Sequence, residues 1–332
     1  MPEFRKDAVV DRWVILASDR AKRPQPNAGK NEPAQTDPCP FCAGNEAMTP
    51  PAVLTYRAND PDSNIATWSV RVVPNKYPAL VNEGSWTGQS NSIYQTMSGL
   101  GAHEVIIEAP EHVVNMGALN EKQVEQILRA YRDRIVELRN DQRWRSILIY
   151  KNQGAEAGAT LEHIHSQLIA LPIVPRTLQE EIDGARNYHD LNKCCVYCTV
   201  IHQEVGAQSR MVAESERFIV FCPYASRFPY ETWILPKLHA TCFEYGSEED
   251  YAGLARSLRE TLIRFNRRFK NPPFNYFIHS NPLGEAANAY YHWHMEILPK
   301  LSQVAGFEWG SGAYINSVAP EDAARHLREV TL

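Results

Sequence analysis

The 332-residue sequence has no run approaching the roughly 18 apolar residues that a membrane-spanning helix needs, so no transmembrane segment is expected. Its first residues, MPEFRKDAVVDRWVIL, scatter charges through any apolar core, so no secretory signal is expected and the expected location is cytoplasmic. There is no basic excess either. Thirty-four Lys and Arg stand against 39 Asp and Glu, a net charge of −5, which argues against a general nucleic-acid binder. Cysteine is scarce and odd in number: seven residues, grouped as Cys39/Cys42 and Cys194/Cys195/Cys198, with Cys222 and Cys242 alone. Close pairs in a chain without an export signal read as metal ligands or redox groups rather than as a disulfide framework.

What is present suits a globular protein. The sequence is 44% hydrophobic and 22% charged, and its length reads as two domains or one large duplicated one. Strand-like runs occur at Trp13–Leu16, Trp68–Val73, Val105–Ile107, Ile147–Tyr150 and Ile164–Leu171. Residues 19–40 read as a loop, and residues 81–101, which lack periodicity, as a long insertion. One helix is predicted from Asn120, with Gln123 as capping partner, to about Asn140; Val124, Ile127, Leu128, Tyr131, Ile135 and Leu138 share a face. A second opens at Ser247 with Asp250 and buries Tyr251, Leu254, Leu258, Leu262, Phe265 and Phe269. A third starts with Pro320 in its first turn.

These features repeat. The first half runs Cys39-x-x-Cys42, strands, His112, helix, strand, Asn152, His163-Ile164-His165; the second runs Cys195-x-x-Cys198, strands, His239, helix, strand, Asn281, His292-Trp293-His294. The Asn-to-His spacing is the same in both halves, and the segment at 81–101 accounts for most of the difference between the Cys-to-His intervals. An internal duplication follows. The expected fold is α+β: duplicated repeats over 1–172 and 173–332, joined through one antiparallel sheet flanked by helices.

Zinc takes four thiolate or imidazole ligands tetrahedrally, and Cys-x-x-Cys supplies two from one turn. Cys39, Cys42, His112 and His163 would close one such site, and Cys195, Cys198, His239 and His292 a second. A thioredoxin-type redox pair is the competing reading of CPFC, but AGNEAMTPP after it is not helical. His103 is read as an ordinary strand residue, because the repeat sets Tyr230 opposite it. Cys222 and Cys242 are read as small buried apolar residues, and Cys194 is given no role.

In His163-Ile164-His165-Ser166-Gln167, the first, third and fifth residues share a strand face. The approach, KNQGAEAGATLEHIHSQ, has Gly154 and Gly158, which allow backbone N–H groups near phosphate oxygens. A neutral imidazole is a good nucleophile towards phosphorus when its other nitrogen is held. The pattern points to phosphoryl or nucleotidyl transfer; a hydrogen-bonded pair of structural strand histidines is the plainer alternative.

With these residues in view, the chain resembles galactose-1-phosphate uridylyltransferase-type members of the histidine triad superfamily, from FRKDAVVDRWVILASDRAKRP to GFEWGSGAYINSVAPEDAARHL. KNQGAEAGA and the Cys195/Cys198 pair are most similar to the plant-type ADP-glucose phosphorylase branch. The resemblance implies a double displacement in which His165 attacks the α-phosphorus of a nucleotide sugar and holds the nucleotidyl group until a second phosphate acceptor takes it. It implies that Gln167 binds phosphoryl oxygens and that His163 is a metal ligand. Arg20, Arg23, Asn75, Asn152, Gly158, Ala159, Thr160 and Leu161 would contact the nucleotide sugar. Gly306, Phe307 and Glu308 would bind sugar, in the family from the partner subunit of a homodimer.

Two zinc ions per chain are implied, although the second site could hold iron. The family's usual second set matches Glu181, His279, His292 and His294, and so competes with the Cys195/Cys198/His239 set for His292; thiolates favour the latter. Glu296 stands where the first repeat has Gln167, and an anion there would repel phosphate, so one active centre per chain is expected. The implied partners are a nucleotide sugar with a hexose 1-phosphate (UDP-glucose and galactose 1-phosphate) or with phosphate (ADP-glucose), and neither nucleic acid nor membrane. Gln167 in place of a third His disfavours a hydrolase, and the charge balance disfavours a non-catalytic two-zinc interaction module.

Overall fold

The computed structural model describes residues 1–10, 12–22, 38–57, 68–84, 87–89, 93–284 and 288–332. Fourteen strands are present among them. They are β1 (Glu3–Lys6), β2 (Trp13–Leu16), β3 (Leu54–Tyr56), β4 (Val70–Pro74), β5 (Gly88–Gln89), β6 (Thr96–Ser98) and β7 (Ala102–Ile107). After them come β8 (Ser146–Gln153), β9 (His165–Leu171), β10 (Met211–Glu214), β11 (Phe218–Phe221), β12 (Thr232–Pro236), β13 (Phe274–His279) and β14 (His294–Pro299). The α-helices are α1 (Glu121–Leu138), α2 (Arg176–Asn192), α3 (Val196–Ala207), α4 (Glu248–Phe269), α5 (Gly306–Ser311) and α6 (Pro320–Arg328).

Ten strands form one antiparallel sheet in the order β10-β11-β12-β14-β13-β8-β9-β7-β4-β3. The order reads the same from each side of the β13–β8 junction, so the duplication is written into the topology. The expected junction of the halves is a strand pairing, with Ile278 opposite Ile149 and Phe274 opposite Gln153. No helix among the described residues is long and apolar enough to cross a membrane.

Both long helices form where their caps and apolar stripes place them. The Asn120 side chain accepts from the Gln123 N–H at 2.9 Å. Gln123 does not reach back to close a capping box; its amide donates instead to the carbonyls of Ser69 and Glu108. Ser247 and Asp250 do form the reciprocal box at the start of α4. The stripes of α1 and α4 pack together over one face of the sheet, against Val72, Ile106, Leu168, Val220, Ile234 and Met295.

Two parts of the chain differ from the sequence expectation. Part of segment 81–101 is strand: β6 pairs with both β1 and β5 in a four-stranded sheet, β2-β1-β6-β5. Residues 176–192 and 196–207 are helices α2 and α3, which pack through Leu178, Ile182 and Ile201 on Ile219, Phe221 and Leu235. Since strand side chains alternate, these lie on the face of β11 opposite to Phe218 and Val220. The second half of the sheet is therefore covered by helices on both faces. In the first half, the face away from α1 is covered by the small sheet, through Phe4 and Met97 on Ile169 and Leu171, and by the Cys39–Phe41 turn, with a cleft beside that turn.

Candidate active site

The cleft lies on that face. It is lined by Arg20, Asn75, Thr160, Leu161, His165 and Gln167 from the expected set, and by Phe41, Met48, Thr49, Pro50, Lys76, Tyr77 and Val105 among residues the sequence did not single out. His165 Nδ1 lies 2.8 Å from the carbonyl of His163, so Nδ1 carries the proton and the lone pair is left on Nε2. Phe41 packs edge-on against the His165 ring, with centroids 5.2 Å apart.

Gln167 is held by a group that the sequence reading passed over. The N–H of Ala79 donates to His103 Nδ1 at 2.9 Å, which makes that nitrogen the acceptor and puts the ring proton on Nε2. His103 Nε2 then donates to Gln167 Oε1 at 2.9 Å. Tyr150 donates to the same oxygen at 3.0 Å and Asn75 Nδ2 at 3.4 Å. With its oxygen engaged, Gln167 presents its NH2 as the donor for an anion beside His165. His103 is thus part of the site rather than an ordinary strand residue. The register explains the miss: Val105 faces Gln167 and Trp233 faces Glu296, so the counterpart of His103 is Glu231, one residue on from Tyr230. Arg20 donates to the carbonyl of Tyr77 at 3.2 Å and lies 3.5 Å from His103 Nδ1.

Other expected residues lie elsewhere. Arg23 is outside the described residues. Asn152, Gly158 and Ala159 do not line the cleft. Asn152 accepts from Asn275 of β13 at 2.8 Å, and buried Ala159 is core. Gly154 and Gly158 flank a short 3₁₀ turn at φ +83° and +89°. A Cβ on Gly154 would come within 2.8 Å of Pro273, so this glycine answers to packing rather than to a ligand. Gly306, Phe307 and Glu308 sit at the start of the exposed helix α5 and do not line the cleft.

Two Cys–His clusters match the expected metal sets. Cys39, Cys42, His112 and His163 converge, as do Cys195, Cys198, His239 and His292. His163 Nδ1 lies 3.6 Å from both Cys39 Sγ and Cys42 Sγ, and His112 Nδ1 lies 3.5 Å from Cys42 Sγ. In the second cluster Cys198 Sγ is 3.4 Å from His239 Nδ1 and 3.7 Å from His292 Nδ1. A tetrahedral zinc with bonds of about 2.0 Å to nitrogen and 2.3 Å to sulfur sets N and S about 3.5 Å apart, so both sets fit such an ion. The carbonyl of Ala109 holds His163 Nε2 at 2.9 Å, fixing the ligand nitrogen as Nδ1. Burial pulls the His163 imidazole down to about 4, which keeps it neutral and able to ligate.

The expected competition for His292 does not arise. His292 faces the Cys pair, while Glu181, His279, His294 and Glu296 form a separate cluster. There His279 Nδ1 is 3.0 Å from Glu181 Oε2, and His294 Nε2 is 3.4 Å from Glu296 Oε1. Burial opposes charge on His294, but Glu296 and Glu181 outweigh it and hold its pKa above the usual histidine value. His294 is the counterpart of His165, but it is fully buried, stacked on Trp233 and covered by Tyr197 of α3. Glu296 and Glu231 share the guanidinium of Arg227. This second cradle is filled by the protein itself.

Comparison with known proteins places the whole chain in a family. The family profile described as "Galactose-1-phosphate uridyl transferase, N-terminal domain" matches residues 1–175, and one described as a domain of unknown function (DUF4921) matches 97–330. An ADP-glucose phosphorylase of Arabidopsis thaliana is 38% identical over all of this chain and 93% of its own. The chain belongs to the galactose-1-phosphate uridyl transferase family. Within that family, a galactose-1-phosphate uridylyltransferase of Thermotoga maritima is 28% identical over 99% of this chain and 98% of its own. A crystal structure of the Arabidopsis thaliana ADP-glucose phosphorylase with bound ADP-glucose superposes with a TM-score of 0.78 at 36% identity, each chain fully covered. A uridylyltransferase structure gives 0.82 at 27% identity, over 98% of this chain and 97% of that one.

Proposed function

We propose that this family member is a nucleotidyltransferase that uses ADP-glucose as donor and inorganic phosphate as acceptor, through a covalent nucleotidyl-histidine at His165. The observation that carries the reading is the pairing of two groups in one cleft: an imidazole with Nδ1 held by a carbonyl, and a glutamine with its oxygen held by His103, Tyr150 and Asn75. His165 Nε2 attacks the α-phosphorus, the bond to the bridging oxygen breaks, and glucose 1-phosphate leaves with that electron pair. A phosphate oxygen then attacks the same phosphorus, the P–N bond breaks towards His165, and ADP is released. The Gln167 NH2 stabilises charge on the non-bridging oxygens in both steps. Glucose 1-phosphate is a stable anion and needs no general acid, which suits an amide at position 167.

The donor assignment rests on the full-length similarity to the ADP-glucose phosphorylase. The family's namesake reaction, UDP-glucose with galactose 1-phosphate, is the second reading, favoured by the uridylyltransferase likeness. The repeats are 1–172, carrying the active centre, and 173–332, a scaffold. Cys39, Cys42, His112 and His163 would hold one zinc, and Cys195, Cys198, His239 and His292 another; thiolate–imidazole sets suit zinc. The ion in the first set would crosslink the Cys39–Cys42 turn to the approach of the nucleophile strand. Exposed Phe307 and Trp309 on α5 support a homodimer in which Gly306, Phe307 and Glu308 complete the partner's hexose site.

Intact mass after incubation with ADP-glucose or UDP-glucose, without acceptor, tests the reading. An added AMP that is absent in His165→Ala is expected. An added UMP alone would move the donor to UDP-glucose, and no adduct from either would overturn covalent transfer.

A further inference from the structure

On the helix side of the sheet, beneath His165, lies a buried ion pair for which the transfer chemistry above has no use. Lys151 of β8 and Glu108, just beyond β7, are both fully buried and paired with each other. Lys151 Nζ also donates to the backbone carbonyl of His165 at 3.1 Å. The Tyr131 hydroxyl of α1 lies 2.7 Å from Ser166 Oγ, 2.6 Å from the Tyr276 hydroxyl and 3.2 Å from Glu108 Oε1. Residues 165 and 166 are therefore tied from below, the first by its carbonyl and the second by its hydroxyl.

Folding does not explain this pair. Replacing a buried ion pair with well-packed apolar groups is often neutral or stabilising. The chain also contains its own comparison. Lys151 faces Ser166 across the strands, and in the second repeat Ile278 faces Met295. Three residues past Val105, which faces Gln167, is Glu108; three past Trp233, which faces Glu296, is Pro236. Where the first repeat has Lys151, Glu108 and Ser166, the second has Ile278, Pro236 and Met295, all buried. The same layer closes without charge where the histidine is sealed, and with charge where it faces the cleft. His165 is moreover the first residue of β9, and strand ends are where pairing opens most readily.

We propose that Lys151, held by Glu108, is a positioning residue for nucleotidyl transfer: its bond to the His165 carbonyl fixes the start of β9, and so the imidazole, through both displacements. This rests on the transfer reading above. A second buried pair on the same sheet face, Glu104 with Arg134, supplies a control, since Arg134 bonds to Glu104 and Glu137 rather than to a β9 carbonyl.

The test compares Lys151→Met/Glu108→Leu with Glu104→Thr/Arg134→Met. Single-turnover formation of the His165 adduct from ADP-glucose is expected to slow about 10- to 100-fold in the first, with KM held within about twofold. Amide hydrogen exchange over residues 164–167 is expected to speed about tenfold. The control variant changes neither, and Lys151→Arg recovers part of the rate. An unchanged adduct rate or unchanged exchange in the folded first variant overturns the proposal, as does equal slowing in the control. Lys151→Met/Glu108→Gln, which keeps an acceptor for Tyr131, replaces the first variant if that fails to fold; failure of both makes the pair structural and also overturns it. If the wild-type protein forms no adduct with ADP-glucose or UDP-glucose, the transfer reading fails, and the exchange result alone then decides for or against the tether.

Discussion

His103 Nε2 donates to Gln167 Oε1 at 2.9 Å, the shortest of three bonds that set which end of the glutamine faces the cleft. Without it, only Tyr150 and the longer Asn75 contact hold that oxygen, and the amide turns more readily to present oxygen instead of NH2 to an anion. His103→Leu is expected to lower the rate of adduct formation about tenfold, with a larger loss of about 10²–10³ in Gln167→Ala, which removes the donor itself. Rapid-quench single turnovers with the preferred nucleotide sugar measure both. Equal rates in His103→Leu and wild type would show that Gln167 is oriented without His103.

Position 167 also decides the fate of the intermediate. An amide at this site binds phosphoryl oxygens but cannot take a proton from water, whereas an imidazole can. Gln167→His is therefore expected to raise acceptor-independent hydrolysis of the nucleotide sugar by at least about tenfold, read as glucose 1-phosphate released without phosphate present. Unchanged water-dependent turnover would sink this account of the glutamine at position 167.

Much of the site was legible because its signals are local in sequence. Cys-x-x-Cys and His-x-His-x-Gln each set two or three side chains by spacing alone, and the repeat grouped the Cys and His into the two sets of four that converge in the structure. His103 was missed because its neighbours are set by strand register, a non-local property: aligning Tyr230 with it was wrong by one residue, and a slip of one reverses every side chain. Helix α2 was missed because only Leu178, Ile182 and Ala185 are buried along it, too sparse a stripe to stand out from Pro175 and the surrounding charge. Strand β6 carries no apolar run and exists through its pairing with β1. Its structure is tertiary in origin.

The two Cys–His clusters should separate function from stability. Metal analysis of the purified protein is expected to give two zinc equivalents per chain, falling to one in either Cys42→Ser or Cys198→Ser. The first cluster adjoins His165 through His163, so Cys42→Ser should also lose adduct formation by about 10²-fold. The second lies in the repeat whose cradle is sealed, so Cys198→Ser should lower the melting temperature while adduct formation by the remaining folded protein persists. An equal loss of adduct formation in both variants would mean that the second cluster also supports the active centre.

Arg227 is the cation on which the sealed cradle depends. Its guanidinium meets Glu231 and Glu296, both nearly inaccessible to water. Burial alone would raise the Glu296 pKa, but His294 and Arg227 outweigh it and hold the carboxyl below its ordinary range. Arg227→Met strands these carboxylates, at a cost of about 3–5 kcal/mol near neutral pH. The sign of the pH dependence follows from linkage: a depressed folded pKa contributes stability above the ordinary glutamate value that is lost as pH falls through the folded one. In the variant the Glu296 pKa rises, so the carboxyl takes up a proton on acidification while the wild-type group stays charged. The stability gap between the two proteins should therefore shrink from pH 7 to pH 4.5, measured by urea unfolding at each pH. A gap that is constant or widens over that range would show that Arg227 acts through packing of its stem rather than through its charge.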